Sequence, residues 1–93
     1  MFEWDKTKNQ KNFEKHGITF EVAVEVFTDK DGYEVPRIVD NEIRIKYVGL
    51  LDDIVLSVVY TKRGKKYRII SARCASKTER RLYHENKKYR CCI

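Results

Sequence analysis

The first part of the chain predicts a helix that is polar on nearly all sides. Residues Lys6 to about His16 form a polar stretch in which Phe13 is the one large apolar side chain. Asp5 can cap the start of this helix, and Gly17 can end it in the left-handed conformation. The first helix should therefore bury little apolar surface.

A second helix is predicted directly after the first. Thr19 can cap it, and apolar residues then recur with the i, i+3, i+4, i+7 spacing of one buried helix face. These residues are Phe20, Ala23, Val24 and Phe27. The stretch from Thr28 to Pro36 collects turn residues and should end this helix.

From Ile43 onward the apolar pattern changes to the two-residue period of a β-strand. The two faces would carry Ile43, Ile45 and Tyr47 on one side and Arg44, Lys46 and Val48 on the other. One face of this strand is thus mainly apolar and the other mainly basic. A turn is expected near Gly49 to Asp53.

The next two segments predict a central strand and its antiparallel neighbour. "IVLSVVYT", residues 54–61, is apolar on both faces and rich in β-branched residues. The basic connection 62–66 contains Gly64, which can adopt a positive φ, and "YRIISAR" then returns as a strand. "FEW" near the start predicts a further short strand.

A capping box, Ser76 to Glu79, starts the last helix, whose inner stripe would be Leu82, Tyr83 and Asn86. Two N-terminal helices, an antiparallel sheet of three or four strands and a C-terminal helix predict an α+β fold. The 93 residues fit a single domain, residues 1–93.

The charge balance favours an acidic partner. Lysine and arginine number 20 against 14 acidic residues, for a net charge of +6. Because 42% of residues are hydrophobic, this is a globular chain with a basic field, suited to nucleic acid or an acidic protein. Its three cysteines show no disulfide or zinc spacing, and no apolar run approaches a membrane span. We expect a cytoplasmic protein with reduced thiols and without a metal or cofactor.

Arginines around the junction of the last strand and the last helix suggest a phosphate site. Arg73 ends the strand and Lys77 lies in the first helical turn, whose free N–H groups favour an anion. Arg68 would point to the opposite face by strict alternation, so it joins Arg73 only if the chain bends. The alternative is that these arginines simply pair with carboxylates such as Glu79.

Neighbouring strands can extend this site into a basic face that also bears a tyrosine. Arg44 and Lys46 come from one strand, Tyr60 from the next, and Arg63 from the basic hairpin. Arginine binds phosphate oxygens in pairs and a tyrosine ring can stack on an unpaired base, so the face suits RNA. The structural alternative for Tyr60 is packing in the core.

RNA cleavage would also require proton transfer. Arginine cannot accept a proton at neutral pH, so the candidates are Glu79, Tyr60, the two histidines or water. Glu79 is the first choice, although the capping box also gives it a structural role. The catalytic hypothesis is therefore Arg68, Arg73, Glu79 and Tyr60, with substrate binding by Arg44, Lys46, Arg63 and Lys77. The competing hypothesis is a non-catalytic module that binds nucleic acid or an acidic protein segment.

Two long segments carry a family resemblance. "FEWDKTKNQKNFEKHGITFEVAVEVF" and "VVYTKRGKKYRIISARCASKTERRLY" closely resemble the BrnT toxins of bacterial type II toxin–antitoxin pairs. The resemblance implies a RelE-like ribonuclease fold and metal-independent RNA cleavage that stops growth. It also implies a BrnA-type antitoxin partner with a ribbon-helix-helix DNA-binding domain.

Overall fold

In the computed structural model of the protein, the described residues form three α-helices, one 3₁₀ helix and five β-strands, which confirms the α+β class. The structure describes the backbone of residues 1–91 and the side chains of residues 1–86. In chain order the elements are β1 (Phe2–Glu3), α1 (Lys6–His16), α2 (Phe20–Ala23), a 3₁₀ helix (Val24–Thr28), β2 (Tyr33–Val39), β3 (Glu42–Leu51), β4 (Ile54–Arg63), β5 (Lys66–Cys74) and α3 (Lys77–Cys91). Within the described part of the chain, no helix is long and apolar enough to span a membrane.

The strands form a single sheet in the order β1-β5-β4-β3-β2. β2 to β5 are consecutive antiparallel hairpins, and β1 pairs with β5 in parallel. The expectation of three or four antiparallel strands is thus corrected to a mixed five-stranded sheet. β2 begins inside the stretch expected to be a turn, and it tolerates Pro36 because an edge strand pairs on one side only.

A β-bulge in β5 decides which side chains share a face of the sheet. Val59 is paired with Ser71 while Tyr60 is paired with Ile69, so Ile70 is left without a partner. The extra residue reverses the alternation, and Arg68 and Arg73 therefore lie on the same side of the sheet. The β-bulge is thus the bend that the shared face of Arg68 and Arg73 requires.

One face of the sheet packs against α1, α2 and the 3₁₀ helix. The buried side chains of this core are Phe20, Ala23, Val26, Leu56, Val58, Tyr60, Ile69 and Ala72. The predicted second helix is confirmed only as far as Ala23, and the chain continues as a 3₁₀ helix from Val24 to Thr28, where the β-branched Val22, Val24 and Val26 slightly disfavour the α-helix. As a result Val26, and not Val24, is fully buried.

The predicted caps of the helices are confirmed. Asp5 accepts hydrogen bonds from the backbone N–H groups of Thr7 and Lys8, at 2.8 and 3.1 Å, and Gly17 ends α1 with a φ of 73°. At the start of α3, Ser76 and Glu79 exchange the two hydrogen bonds of a capping box.

The opposite face of the sheet is only partly covered, by the start of α3. Tyr83 is 1% exposed and packs with Val48, Val55 and Ala75. Its hydroxyl donates to Asp29 Oδ2 at 2.6 Å, which ties α3 to the loop before β2. Leu82 and Asn86 do not share this position: Leu82 is 40% exposed and Asn86 is exposed, so the expected inner stripe is wrong at both residues.

Candidate nucleic-acid interface

Where α3 leaves the sheet uncovered there is an open cavity of about 330 Å³. Basic side chains, aliphatic side chains and one serine from β2, β3, β4 and β5 line it. They are Val35, Arg37, Val39, Arg44, Lys46, Val59, Ile70, Ser71 and Arg73. We call this feature the basic cavity. It lies on the face opposite α1 and α2.

One end of the basic cavity is organised by a buried carboxylate. Glu79 is 6% exposed and receives two hydrogen bonds from the Arg73 guanidinium, at 2.9 and 3.1 Å. Lys46 Nζ lies 2.8 Å from Glu79 Oε2, and the backbone N–H of Ser76 donates to Oε1 at 2.8 Å. The carboxylate thus joins β3, β5 and α3.

These contacts determine the charge state of Glu79. Burial by itself raises the pKa of the carboxyl, but the hydrogen bonds from Arg73, Lys46 and Ser76 outweigh burial and lower the pKa to about 2. Glu79 is therefore an anion at neutral pH, with both oxygens occupied. Such a group is a poor proton acceptor and a good anchor for two cations.

The other end of the basic cavity holds Arg37 and Arg44, and Arg63 lies beside this end, outside the cavity lining. Arg44 Nε lies 3.8 Å from Glu42, and Arg63 Nη2 lies 3.8 Å from the other oxygen of the same carboxylate. Arg44 Nε is buried and has no hydrogen-bond acceptor among the described residues. Arg37 lies directly opposite Arg44 in the β2–β3 register. These guanidinium groups can accept an anionic ligand without first losing a close ion pair.

Arg68 and Lys77 lie outside this cavity. Arg68 is on the same side of the sheet as Arg73, but its Nη1 donates to Glu3 Oε2 of β1 at 3.0 Å. Lys77 is the first residue of α3 and is exposed. The structure thus brings together Arg44, Lys46, Arg73 and Glu79 of the predicted residues, and it places Arg68, Lys77 and Arg63 around them.

Tyr60 does not belong to the basic face. It is 2% exposed and lies in the core under the 3₁₀ helix, with its ring 5.2 Å from Phe27 and 5.1 Å from Tyr67. Burial, followed by the hydrogen bond to Glu34, raises the pKa of its hydroxyl well above the ordinary value. The expected tyrosine-bearing basic face is therefore corrected to a basic face without Tyr60, because β4 directs Tyr60 to the opposite side.

The two histidines, both in the described part of the chain, also lie apart from the basic cavity. His16 lines a second cleft between α1, α2 and the β3–β4 hairpin. His84 is on the exposed side of α3, with its ring 5.4 Å from that of Tyr83. Neither is among the residues that line the cavity.

Arg37 was not identified from the sequence, because β2 was not expected. The signal was present as an alternation in which Val35, Arg37 and Val39 share one face. Pro36 and the absence of glycine from the Asp40–Asn41 turn concealed it. Both turn residues adopt positive φ, 50° and 64°, as a two-residue hairpin requires.

Comparison with known proteins gives this arrangement a context. A family model described as the ribonuclease toxin BrnT of type II toxin–antitoxin systems matches residues 4–79, a span that includes every strand of the basic cavity together with Glu79. A search of the curated proteins finds no match. The chain belongs to the BrnT family of ribonuclease toxins.

Proposed function

We propose that this toxin is a metal-independent endoribonuclease whose active site is the basic cavity. The observation that carries the proposal is the arrangement of Arg73 and Lys46 on a buried Glu79, with Arg44 close by in the same cavity. An RNA-cleaving site needs cations that are held in place before the substrate arrives, and this arrangement supplies them.

The proposed reaction is attack of the ribose 2′-oxygen on the adjacent phosphorus. The bond from phosphorus to the 5′-oxygen of the next nucleotide breaks, which leaves a 2′,3′-cyclic phosphate and a 5′-hydroxyl. The pentacoordinate transition state carries more negative charge than the ground state on its phosphoryl oxygens. Arg73 and Lys46 would offset that charge, and this is the main catalytic contribution that we assign to the protein.

Glu79 has a positioning role in this proposal. Its low pKa and its occupied oxygens make it unsuitable to accept the proton of the 2′-hydroxyl, which we assign to solvent water. The Lys46 ammonium can give a proton to the departing 5′-oxygen. Tyr60 is left out of the mechanism because it lies on the other face of the sheet.

Residues around the cavity would guide the rest of the RNA strand. Arg68, Arg63 and Lys77 lie outside the cavity lining. All three side chains are at least partly exposed to solvent. The Arg63 side chain is 58% exposed and the Arg68 side chain is 29% exposed. We propose that they contact phosphates away from the scissile bond.

Metal independence rests on the chemistry of the available side chains. Among the described residues, no group of three or more His, Cys, Asp or Glu side chains is placed to hold a metal ion. The carboxylate nearest the proposed scissile phosphate, Glu79, is already bound to two cationic side chains. We therefore propose that cleavage continues in the presence of a chelator.

The family implies an antitoxin partner, and we propose one of the BrnA type. Its ribbon-helix-helix domain would bind DNA, and its toxin-binding part would cover the basic cavity in the cytoplasm. An antitoxin that reaches the cavity would need carboxylates to meet Arg37, Arg44 and Arg73. Covering the cavity would block RNA by direct competition.

The decisive experiment is RNA cleavage by toxin that has been separated from its antitoxin and refolded. Unstructured RNA is incubated with excess EDTA, and the product ends are identified by mass spectrometry. We expect cyclic-phosphate ends from the native protein and a loss of about 10²–10³ in rate for Arg73→Ala. Full activity of Arg73→Ala, or activity that EDTA abolishes, would overturn the proposal.

Two further variants separate chemistry from folding. Arg73→Ala also leaves the buried Glu79 with fewer partners, so its rate is read only if it unfolds at a temperature close to that of the native protein. Arg44→Ala removes a cation whose nearest carboxylate, that of Glu42, lies 3.8 Å away, and it should reduce the rate without lowering stability. Arg81→Ala, on the exposed surface of α3, is the matched control and should change neither.

A second candidate function is a non-catalytic module that holds RNA or the acidic segment of an antitoxin. The observation that favours it is that the basic cavity is lined mostly by cations and aliphatic groups, while Glu79, the carboxylate at its Arg73 end, is fully engaged. Under this alternative the refolded protein binds RNA through salt-dependent electrostatic contacts but yields no cleaved RNA. Binding without cleavage, both alone and with ribosomes, would select it.

A further inference from the structure

We infer that Arg37 and Arg44 form a second phosphate subsite, which takes the phosphate adjacent to the scissile one. The substrate would then be single-stranded RNA with at least two consecutive phosphates. This inference rests on the proposed function, since it takes the Arg73 end of the basic cavity as the place of cleavage. It adds Arg37, on the edge strand β2, to the residues that select the substrate.

The first argument is electrostatic. Arg37 and Arg44 are directly opposite each other in the β2–β3 ladder, and like charges at opposite positions destabilise a sheet. The nearest carboxylate to Arg44 is Glu42, at 3.8 Å, and Glu42 is shared with Arg63. Arg37 has no ion pair among the described residues. An anion bound between the two guanidinium groups would remove their repulsion and give the buried Arg44 Nε an acceptor.

The second argument is the spacing of the cations. Lys46 follows Arg44 by two positions on β3, so both side chains lie on the same face, about 7 Å apart along the strand. Lys46 is also the partner of Glu79, which holds Arg73. The basic cavity therefore has two cationic positions, one at Arg37 and Arg44 and one at Lys46 and Arg73. The spacing of Arg44 and Lys46 along β3 is comparable to one nucleotide of an extended strand.

The third argument is the surface between these positions. It is formed by aliphatic side chains of β2, β4 and β5, namely Val35, Val59 and Ile70. An apolar floor between two phosphate positions suits the ribose or the face of an unpaired base, which are the least polar parts of a nucleotide. The cavity of about 330 Å³ has the size of a small-molecule site. A paired duplex would not present these groups to it.

The test compares two substrates that differ by one phosphate. A dinucleotide contains only the scissile phosphate, whereas a trinucleotide also contains its neighbour. For Arg37→Gln we expect the ratio of trinucleotide to dinucleotide kcat/KM to fall about tenfold, the loss expected for one charge-assisted contact. The loss should appear in KM. The matched control Arg81→Gln removes the same charge from the exposed side of α3 and should leave the ratio unchanged.

A binding measurement tests the same subsite without cleavage. A single-stranded DNA oligonucleotide lacks the attacking 2′-hydroxyl, so its affinity is measured from 50 to 200 mM NaCl for both variants. We expect the slope of log affinity against log salt to fall by about 0.7 for Arg37→Gln, the value for one single-strand phosphate, and to stay constant for Arg81→Gln.

The possible results distinguish the two proposals. If native protein cleaves no RNA but Arg37→Gln still lowers the salt slope, the proposed nuclease fails while the phosphate subsite stands. If Arg37→Gln and Arg81→Gln have equal effects, the contribution of Arg37 is only long-range charge and the subsite is overturned. Equal losses on dinucleotide and trinucleotide would also overturn it, because Arg37 would then act on the scissile phosphate itself.

Discussion

Glu79 links three parts of the molecule through one carboxylate. It accepts from its own helix cap, from Arg73 at the end of β5 and from Lys46 in the middle of β3. Removing the carboxylate would leave two cations facing each other on a partly buried surface. The residue that completes the cap of α3 is therefore also the residue that holds the candidate site together.

The pH dependence of stability should show this role. The pKa of Glu79 is about 2 in the folded protein and has an ordinary value of 4.5, so its ionised form stabilises the fold at and above pH 4.5. As the pH falls from about 4.5 to 2, the unfolded chain binds a proton before the folded protein does, and up to about 3 kcal/mol of stability is lost. Urea denaturation at pH 7, 4.5 and 3 measures this loss.

The variant Glu79→Gln should be less stable than the native protein at pH 7 and should lose less stability between pH 4.5 and 3. Glu14→Gln, at an exposed position of α1, serves as the control and should follow the native curve. If Glu79→Gln followed the native curve as well, the carboxylate would not contribute to folding in the way described here.

At the scale of elements, α1 is attached to the sheet by one polar side chain. Asn12 is 7% exposed, and its amide donates to the carbonyl of Ala72 at 2.8 Å and accepts from the N–H of Ala72 at 3.1 Å. The same amide donates to the carbonyl of Ile18 at 2.9 Å. Asn12 thus binds β5 as a neighbouring peptide group would, which suits a helix with little apolar surface.

We expect Asn12→Ala to lower the free energy of unfolding by about 1–3 kcal/mol, because it leaves buried backbone groups without partners. Urea denaturation measures this change, and hydrogen exchange should be faster at the Ala72 amide. Gln10→Ala, at an exposed position of the same helix, is the control and should have little effect. A stable Asn12→Ala protein with a protected Ala72 amide would show that α1 is held by its apolar contacts instead.

The elements that the sequence predicted correctly are those with local signals. Asp5, Gly17 and the Ser76–Glu79 box act on groups within a few residues, so the spacing alone identified them. The edge strand β2 and the bulge at Ile70 depend on pairing with distant strands, and Pro36 pointed away from a strand. The sequence therefore indicated which types of residue would form the candidate site. Their geometry, and the position of Tyr60 on the other face, depend on the strand register of the folded sheet.

At the scale of the whole molecule, the two faces of the sheet have different tasks. One face carries α1, α2 and the larger part of the buried core, and the other carries α3 and the basic cavity. Because the net charge is +6 and several cations converge on one face, association with RNA should depend strongly on salt.

Raising NaCl from 50 to 200 mM should weaken binding to single-stranded RNA by on the order of 50-fold if four phosphates are contacted. Fluorescence anisotropy with a labelled oligonucleotide measures this dependence. Lys11→Gln, on the helix-covered side of the molecule, should leave the slope unchanged. An affinity that is insensitive to salt would mean that base contacts, and not phosphates, dominate recognition.

The unpaired Ile70 has a consequence for how this sequence can change over time. Substituting Ile70 keeps the number of positions between Arg68 and Arg73, so both arginines stay on the face of the sheet opposite α1 and α2. Deleting it would restore strict alternation, so the side chains on one side of the deletion would move to the opposite face of the sheet. The chain can therefore accept replacement at this position far more readily than the loss of a single codon, and in this segment length is under stronger constraint than chemical identity.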